Sequence, residues 1–491
     1  MNGGMSAAFV PTDDIFLGAG VVPRLQCPAP LARISADLEA CRFQEQSFSL
    51  AIKIDRSNEL HGNNSHRVEV EKTGRITMNK LTQVLLLLCV AAAGAMPAQA
   101  QELKIGFLAP RTGIITQLGT DMVNGFQMYL DEHNGMLGGA KVTFIVEDDK
   151  GTVDGDVSMA KKLILQDKVD MLVGAVLGPA SYALAPISNQ EKTLFIGTIT
   201  TGDDIAQRQS DKFPYTVFST WVSSQPTHAL GQWACEQGYK RVSAVGTDYA
   251  FGYEQVGGFQ KAFEDCGGKV VQKMWVPFGT KDFGPYIPGI KSDIDAIFAL
   301  MVGPMALQFP KQLRASGNKT IILGGSTNYD EFALPFMGDE VIADVSAHIY
   351  SAALQTPANE AFVKKYRAKY GKVPSYYSEA NYATAMWIDQ TLAKFKGRYP
   401  GPSEFIKAMA TITLDPPRGP VRLDLATKSP IQNIYIKKVE KKKEFGYDKD
   451  ELWNTVVKTY SDVSTYWKYD PAKFRAQPVY SRDFPPCKFC E

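Results

Sequence analysis

The sequence predicts an α/β protein made of two doubly wound units, each a parallel sheet flanked by helices. Strand and helix patterns alternate over two successive blocks of about 120 residues, which is the signature of parallel sheets. A length of 491 residues leaves room for two to four domains of ordinary size. With 45% hydrophobic and 21% charged residues the chain has the balance of a soluble globular protein, not of a disordered or multi-span one.

In the first block, Leu103–Leu108 reads as a strand that ends in the turn Pro110-Arg111-Thr112-Gly113. A helix over about 119–133 follows, with Met122, Phe126, Met128, Tyr129 and Leu130 at helical spacing; Gly135 and Gly138-Gly139 stop it. Residues 142–146 form a second strand, 153–166 a helix, 169–174 a buried strand, 181–190 a helix and 193–196 a strand. The rhythm resumes after Trp221 with a helix to Cys235, a strand at 241–245 and a helix at 252–266. Strands at 269–275, 295–301 and 320–323 alternate with helices near 283–291 and 304–315. From about 345 the order changes. Helices at 358–370 and 379–396 adjoin, then a Pro/Gly turn at 416–420 precedes strands at 421–424 and 434–436. The basic run Lys437–Lys443 reads as a solvated face, and nothing in the pattern places the tail.

Ligands of doubly wound sheets lie beyond the carboxyl ends of the strands. The loops at 109–118, 174–181, 197–203, 246–252, 302–304 and 324–330 are therefore where chemistry is expected.

Residues 78–100 look like a secretory leader. Met78-Asn79-Lys80 supplies the positive start, an apolar centre runs over 84–95, and Ala98-Gln99-Ala100 is a small-x-small end. The apolar stretch is short for a bilayer span. Cleavage after Ala100 is expected, an uncleaved anchor being the alternative. The 77 residues ahead of it carry no sustained period, as expected of a start codon assigned too far upstream; a genuine cytoplasmic extension is the other reading. Beyond the leader Cys235, Cys266, Cys487 and Cys490 remain, an even number that suits an oxidising compartment. Bridges 235–266 and 487–490 are favoured over free thiols.

Fifty-three basic against 52 acidic residues give a net charge of +1, which supplies no general field for a polyanion, so nucleic acid is not an expected partner. No cofactor is expected, and an enzyme is disfavoured. His133, His228 and His348 have no metal-like spacing, and no nucleophile elbow or P-loop occurs. Asp148-Asp149 reads as a solvated pair, and Cys487-x-x-Cys490 lacks further ligands for zinc.

Several motifs in order resemble one family. They are Pro110-x-Thr112-Gly113, Asn124-Gly125, Asn134-Gly135-x-x-Gly138-Gly139, Glu147-Asp148-Asp149, Gly178-Pro179-Ala180-Ser181, Thr247-Asp248-Tyr249-Ala250-Phe251-Gly252 and Tyr370-Gly371-x-x-Pro374. Over about 102–440 the chain resembles the branched-chain amino-acid type of periplasmic substrate-binding protein, which serves ABC importers. The resemblance implies a type I "Venus flytrap": two lobes joined by three crossovers, closing on a ligand. It divides the chain into 101–219 with 348–430 as one lobe, 220–347 with 431–460 as the other, and 461–491 as a tail outside the family pattern. It implies a periplasmic monomer that hands a small molecule to the membrane subunits of an ABC permease. A periplasmic sensor for a membrane receptor is the rival reading.

The same resemblance nominates the site. Ala180 and Ser181, at the start of a helix, stand where relatives bind a ligand carboxylate, and helix N-termini are good anion sites; an N-cap role for Ser181 is the plainer alternative. Thr201, with Ile199 beside it, matches a second hydroxyl position. Of Tyr249 and Phe251, one is expected to line the cleft and the other to pack in the core. Trp221 at the first crossing, Leu118 and Arg111 are further candidates, and Tyr182 and Tyr329 weaker ones. Amino-acid binders of this type place an acid near the position of Ser326. A buried ammonium facing a neutral hydroxyl would lose hydration without a countercharge, so the expected ligand bears a carboxylate or amide without an amine, such as an aromatic acid. Asp330 or Glu331 folding back to serve as that acid, and an amino-acid ligand, are the alternative.

Overall fold

A computed structural model describes residues 102–443 and 451–490. The leader and the extension before it lie outside the described residues. In the first lobe, β1 (Glu102–Ala109), β2 (Met136–Leu137), β3 (Ala140–Asp148), β4 (Met171–Gly174), β5 (Leu194–Gly197) and β6 (Thr216–Phe218) form a sheet in the order β2-β3-β1-β4-β5-β6. Only β2 is antiparallel to its neighbour. Ile105 lies opposite Phe144 on one side and Met171 on the other, so the register stacks apolar residues across the sheet. Helices α1 (Thr116–Glu132), α2 (Val153–Leu165), α3 (Gly178–Glu191) and α4 (Asp203–Arg208) connect these strands. Thr152 caps α2 by accepting the Gly155 N–H.

The second lobe holds α5 (Ser224–Glu236), β7 (Arg241–Thr247), α6 (Ala250–Asp265), β8 (Lys269–Val276), β9 (Ala296–Leu300), α7 (Pro304–Ala315), β10 (Ile321–Gly324) and β11 (Val345–His348). The chain then returns to the first lobe for α8 (Pro357–Tyr370), α9 (Tyr376–Ala393) and α10 (Pro402–Met409). Helix α9 lies against α1, where Gly125 permits contact: a Cβ there would sit 1.9 Å from the Ser378 carbonyl oxygen. Strands β12 (Thr413–Leu414), β13 (Val421–Asp424), β14 (Ser429–Lys442) and β15 (Glu451–Val463) complete a nine-stranded second sheet, followed by the short α11 (Pro471–Arg475). The chain passes between the lobes three times, near 219–223, 349–356 and 410–420. Among the described residues no helix is long and apolar enough to cross a membrane.

An ion pair ties the first and third of these passages to α9. Arg418 donates through Nη1 to Glu379 Oε2 at 2.9 Å and through Nη2 to the Ser219 carbonyl at 3.3 Å, and both charged side chains are buried.

Several expectations need correction. The helix near 283–291 is only a 3₁₀ turn at Ile287–Gly289, because Pro285 and Pro288 lack the amide hydrogens a helix needs. Lys437 is not solvated: β11 and β15 flank it on β14, and it is buried within the electrostatic reach of Asp330. Asp149 is buried too, accepting the Gly151 N–H at 2.7 Å; burial raises it and its neighbour Asp156. The segment 413–424, grouped with the first lobe from sequence, hydrogen-bonds through β14 into the second sheet.

The tail follows β15 back over both lobes. Tyr480 covers Gly257 on α6 and shares a 2.8 Å hydrogen bond with His228 on α5. Lys273 and Gln260 of the second lobe donate to the carbonyls of Pro485 and Pro486. On the first-lobe side, Arg208 Nη2 donates to the carbonyls of Phe474 and Gln477, both at 3.3 Å. The structure pairs Cys235 with Cys266, joining the ends of α5 and α6, and Cys487 with Cys490.

Candidate functional site

The lobes meet over a narrow slot lined by the loops beyond the strand ends. Val176, Leu177 and Gly178 come from the β4–α3 turn, and Ile199 and Thr201 follow β5. Tyr249 and Phe251 follow β7, and Val302 and Thr327 follow β9 and β10. Trp221 from the first passage and the pair Tyr376-Tyr377 opening α9 close the sides. The cavity is about 20 Å³, little more than the room one water needs.

The lobes touch around this slot. A Cβ on Gly178 would stand 3.1 Å from the Phe251 Cβ, and one on Gly303 3.2 Å from Ile115 Cγ2. Tyr182 on α3 donates to Glu254 Oε1 on α6 at 2.7 Å.

Five aromatic side chains face the slot and no charged one does. The rings form a continuous wall: Trp221 packs on Phe251 at 5.7 Å, and Tyr376 on Tyr377 at 4.0 Å. His348 lies 4.0 Å from Tyr376 and 4.8 Å from Trp221. Its Nδ1 accepts the Ile349 N–H, so Nε2 carries the proton, and burial holds the ring neutral. The Trp221 indole N–H is buried without a protein partner. Thr327 gives its hydroxyl to the Met301 carbonyl at 2.8 Å, and Thr201 shares a hydrogen bond with Ser223. In the first turn of α3, Pro179 has no N–H, Ala180 donates to the Leu177 carbonyl and Ser181 to the Thr200 hydroxyl, so the buried donor left over at the slot is the Trp221 indole N–H.

The structure brings together Ile199, Thr201, Trp221, Tyr249 and Phe251 among the residues nominated from sequence. Both Tyr249 and Phe251 line the slot, whereas one was expected in the core. The others lie elsewhere. Helix α3 begins at Gly178, three residues ahead of the expected start, because the turn Gly178-Pro179 already has helical geometry. Ser181 is consequently one turn inside; its hydroxyl serves the Gly178 and Thr201 carbonyls at 2.8 Å and its amide the Thr200 hydroxyl. Ala180 and Leu118 are core residues of the first lobe. The Arg111 backbone is held by Asp148 at 2.8 Å while its side chain faces solvent. Ser326 gives both amide and hydroxyl to Gln255 inside the second lobe. Tyr329 donates to Asp344, away from the slot.

Asp330 and Glu331 do not fold back. Asp330 accepts the N–H groups of Phe332 and Tyr376, and Glu331 those of Ala352 and the Asn454 amide. Tyr376 and Tyr377 escaped sequence reasoning, since they open a helix that arrives from the third chain segment rather than a loop after a strand. Two adjacent tyrosines behind Pro374-Ser375 were the available signal. Among the described residues no group of three or more His, Cys, Asp or Glu is arranged to hold a metal.

A profile of the family described as periplasmic binding protein matches residues 102–444. The Leu/Ile/Val-binding protein homolog 6 of Brucella melitensis is 28% identical over 381 residues, spanning 75% of this chain and 95% of that protein. A solute-binding protein of an ABC transporter from Rhodopseudomonas palustris BisB5, solved in complex with 3,4-dihydroxybenzoic acid, superposes with a TM-score of 0.69 at 30% identity. That match covers 74% of this chain and 98% of the other. Another solute-binding protein of R. palustris, in complex with 4-hydroxybenzoate, gives 0.68 at 27% identity over 74% and 99% of the two chains.

Proposed function

The chain belongs to the periplasmic binding protein family, and from that premise we propose that it captures a small aromatic carboxylate between its lobes for delivery to the membrane subunits of an ABC importer. The family is one of transport proteins, not enzymes, and works outside the cytoplasmic membrane. One observation carries the ligand class: the slot is walled by Trp221, Tyr249, Phe251, Tyr376 and Tyr377 with no charged side chain. A flat ring needs only a small parting of these faces and stacks on them with geometry aromatic pairs favour. The carboxylate then meets the Trp221 N–H, which has no protein partner, beside the positive end of α3.

An amino acid fits this wall poorly. Its ammonium would lose hydration, at a cost of several kcal/mol, with no carboxylate facing it. The Brucella homologues bear a Leu/Ile/Val-binding name, and the relatives solved with dihydroxybenzoic acid and 4-hydroxybenzoate agree better with the aromatic slot. Export uses the leader at 78–100, and the protein acts as a monomer in this reading. Isothermal titration with benzoate, 4-hydroxybenzoate, leucine and valine tests the ligand class: heat with the aromatic acids alone supports it, and heat with the aliphatic amino acids alone refutes it. Mass spectrometry of the exported protein tests the leader, since the N-terminus is expected at Gln101.

A further inference from the structure

Beside the slot, a second cavity of about 200 Å³ lies where three parts of the chain converge. Tyr182, Asp203, Asp204 and Arg208 come from the first lobe, Ala250, Tyr253 and Glu254 from α6 of the second, and Tyr480 from the tail. Two carboxyls face each other across the lobe boundary here. Asp203 and Glu254 are each 3% exposed. Asp203 is held by the Ser224 N–H at 3.1 and 3.2 Å. Glu254 receives the Tyr182 hydroxyl on Oε1, and the Ser223 hydroxyl and the Asp203 backbone N–H lie near the carboxylate, whose buried Oε2 lacks a well-formed hydrogen bond.

The cation at hand acts on Asp203 and not on Glu254. Arg208 stands 3.9 Å from Asp204, its Nη1 donates to Gln207 and its Nη2 to the carbonyls of the tail; its charge reaches Asp203 but makes no ion pair with Asp203 or Glu254. Around Glu254 the remaining groups are neutral: Tyr182 from α3, Tyr249 and Tyr253 from its own end of α6, the Ser223 hydroxyl from the first passage, and Tyr480 from the tail. Arg482 is engaged with Asp248. Lys261, further along α6, pairs with Asp265.

We propose that closing the lobes takes up a proton at the Asp203–Glu254 pair, so that closure, and with it ligand retention, weakens as the surroundings become alkaline. The two carboxyls belong to different lobes, so parting the lobes separates them and wets both. Closing brings them together in a dry site where two negative charges repel. Burial first, and the charge of Asp203 second, push Glu254 upward in the closed form. A carboxyl raised in the closed state favours closure while protonated, and that advantage is lost as pH rises through its closed-state value. With one proton taken up, the closed-to-open ratio falls by up to about tenfold per pH unit above that value.

Small-angle scattering of the ligand-free protein tests this without reference to any ligand chemistry, so its failure is separable from failure of the aromatic-acid reading. Between about pH 5.5 and 8.5 the wild type is expected to expand as pH rises, with the response bounded by the tenfold-per-unit limit. Glu254→Gln, which cannot ionise and keeps the Tyr182 contact, is expected to stay compact throughout. Tyr182→Phe keeps both carboxyls, so it should be more open at every pH and retain the wild-type slope. A flat wild-type profile, or a Glu254→Gln profile as steep as the wild type, overturns the proposal.

Discussion

Gly178 offers a perturbation that separates closure from folding. It opens α3 on the first lobe and faces Phe251 on the second, and a Cβ built there lies 3.1 Å from the Phe251 Cβ. Within its own lobe the nearest atoms are the Thr201 carbonyl and hydroxyl oxygens at 3.6 and 3.7 Å, ordinary contacts. Gly178→Ala therefore costs the open form nothing, and alanine is the better residue at a helix start. Only the closed form is crowded. Overpacking of this kind costs about 1–3 kcal/mol, which converts to a Kd about 5- to 150-fold weaker. Gly178→Val, with two further methyls aimed at the ring, should be weaker still. Titration with 4-hydroxybenzoate gives Kd, and a thermal melt of the ligand-free protein gives stability. The reasoning predicts weaker binding with an unchanged or slightly raised Tm; unchanged Kd, or a Tm that falls together with the affinity, refutes it.

Three further outcomes follow from the packing. Arg418→Met leaves Glu379 buried without its partner and should lower stability by about 3–5 kcal/mol in urea unfolding, much of it recovered by adding Glu379→Leu. Reducing Cys235–Cys266, which closes a loop of sequence separation 31, should lower stability by about 3–4 kcal/mol, seen as a lower urea midpoint under reductant. Burial first, and the Lys261 charge second, hold the His228 imidazole down to about 3 from 6.5. The unfolded chain thus binds a proton that the native one refuses. Stability from this group is complete above about pH 6.5 and falls by up to about 1.4 kcal/mol per unit below it, so His228→Gln should flatten the acid limb of the stability profile.

Much of this architecture is legible in the sequence because its signals are local. Alternating periods locate ten of the fifteen described strands, missing β2, β6, β11, β12 and β15, and the rule that ligands lie beyond strand ends picks the loops supplying nine of the twelve slot residues. What escaped detection depends on long-range placement. Tyr376 and Tyr377 reach the slot only because the chain returns to the first lobe, and no period records that return. Lys437 sits in a run of lysines that looks solvated, yet the strands on either side of β14 bury it. Ser181 carries the right group at nearly the right place, but a helix starting three residues earlier turns its hydroxyl to the backbone. The tail has no apolar period to read; its place is set by single contacts, Tyr480 on Gly257 above all.

The most direct test of the central claim is a crystal structure of the protein grown with 4-hydroxybenzoate. The ring should lie between Trp221, Tyr376 and Phe251, with its carboxylate on the Trp221 N–H near the positive end of α3. A ring outside the slot, or an aliphatic amino acid carried through purification and occupying it with its ammonium matched by a carboxylate, would contradict the account.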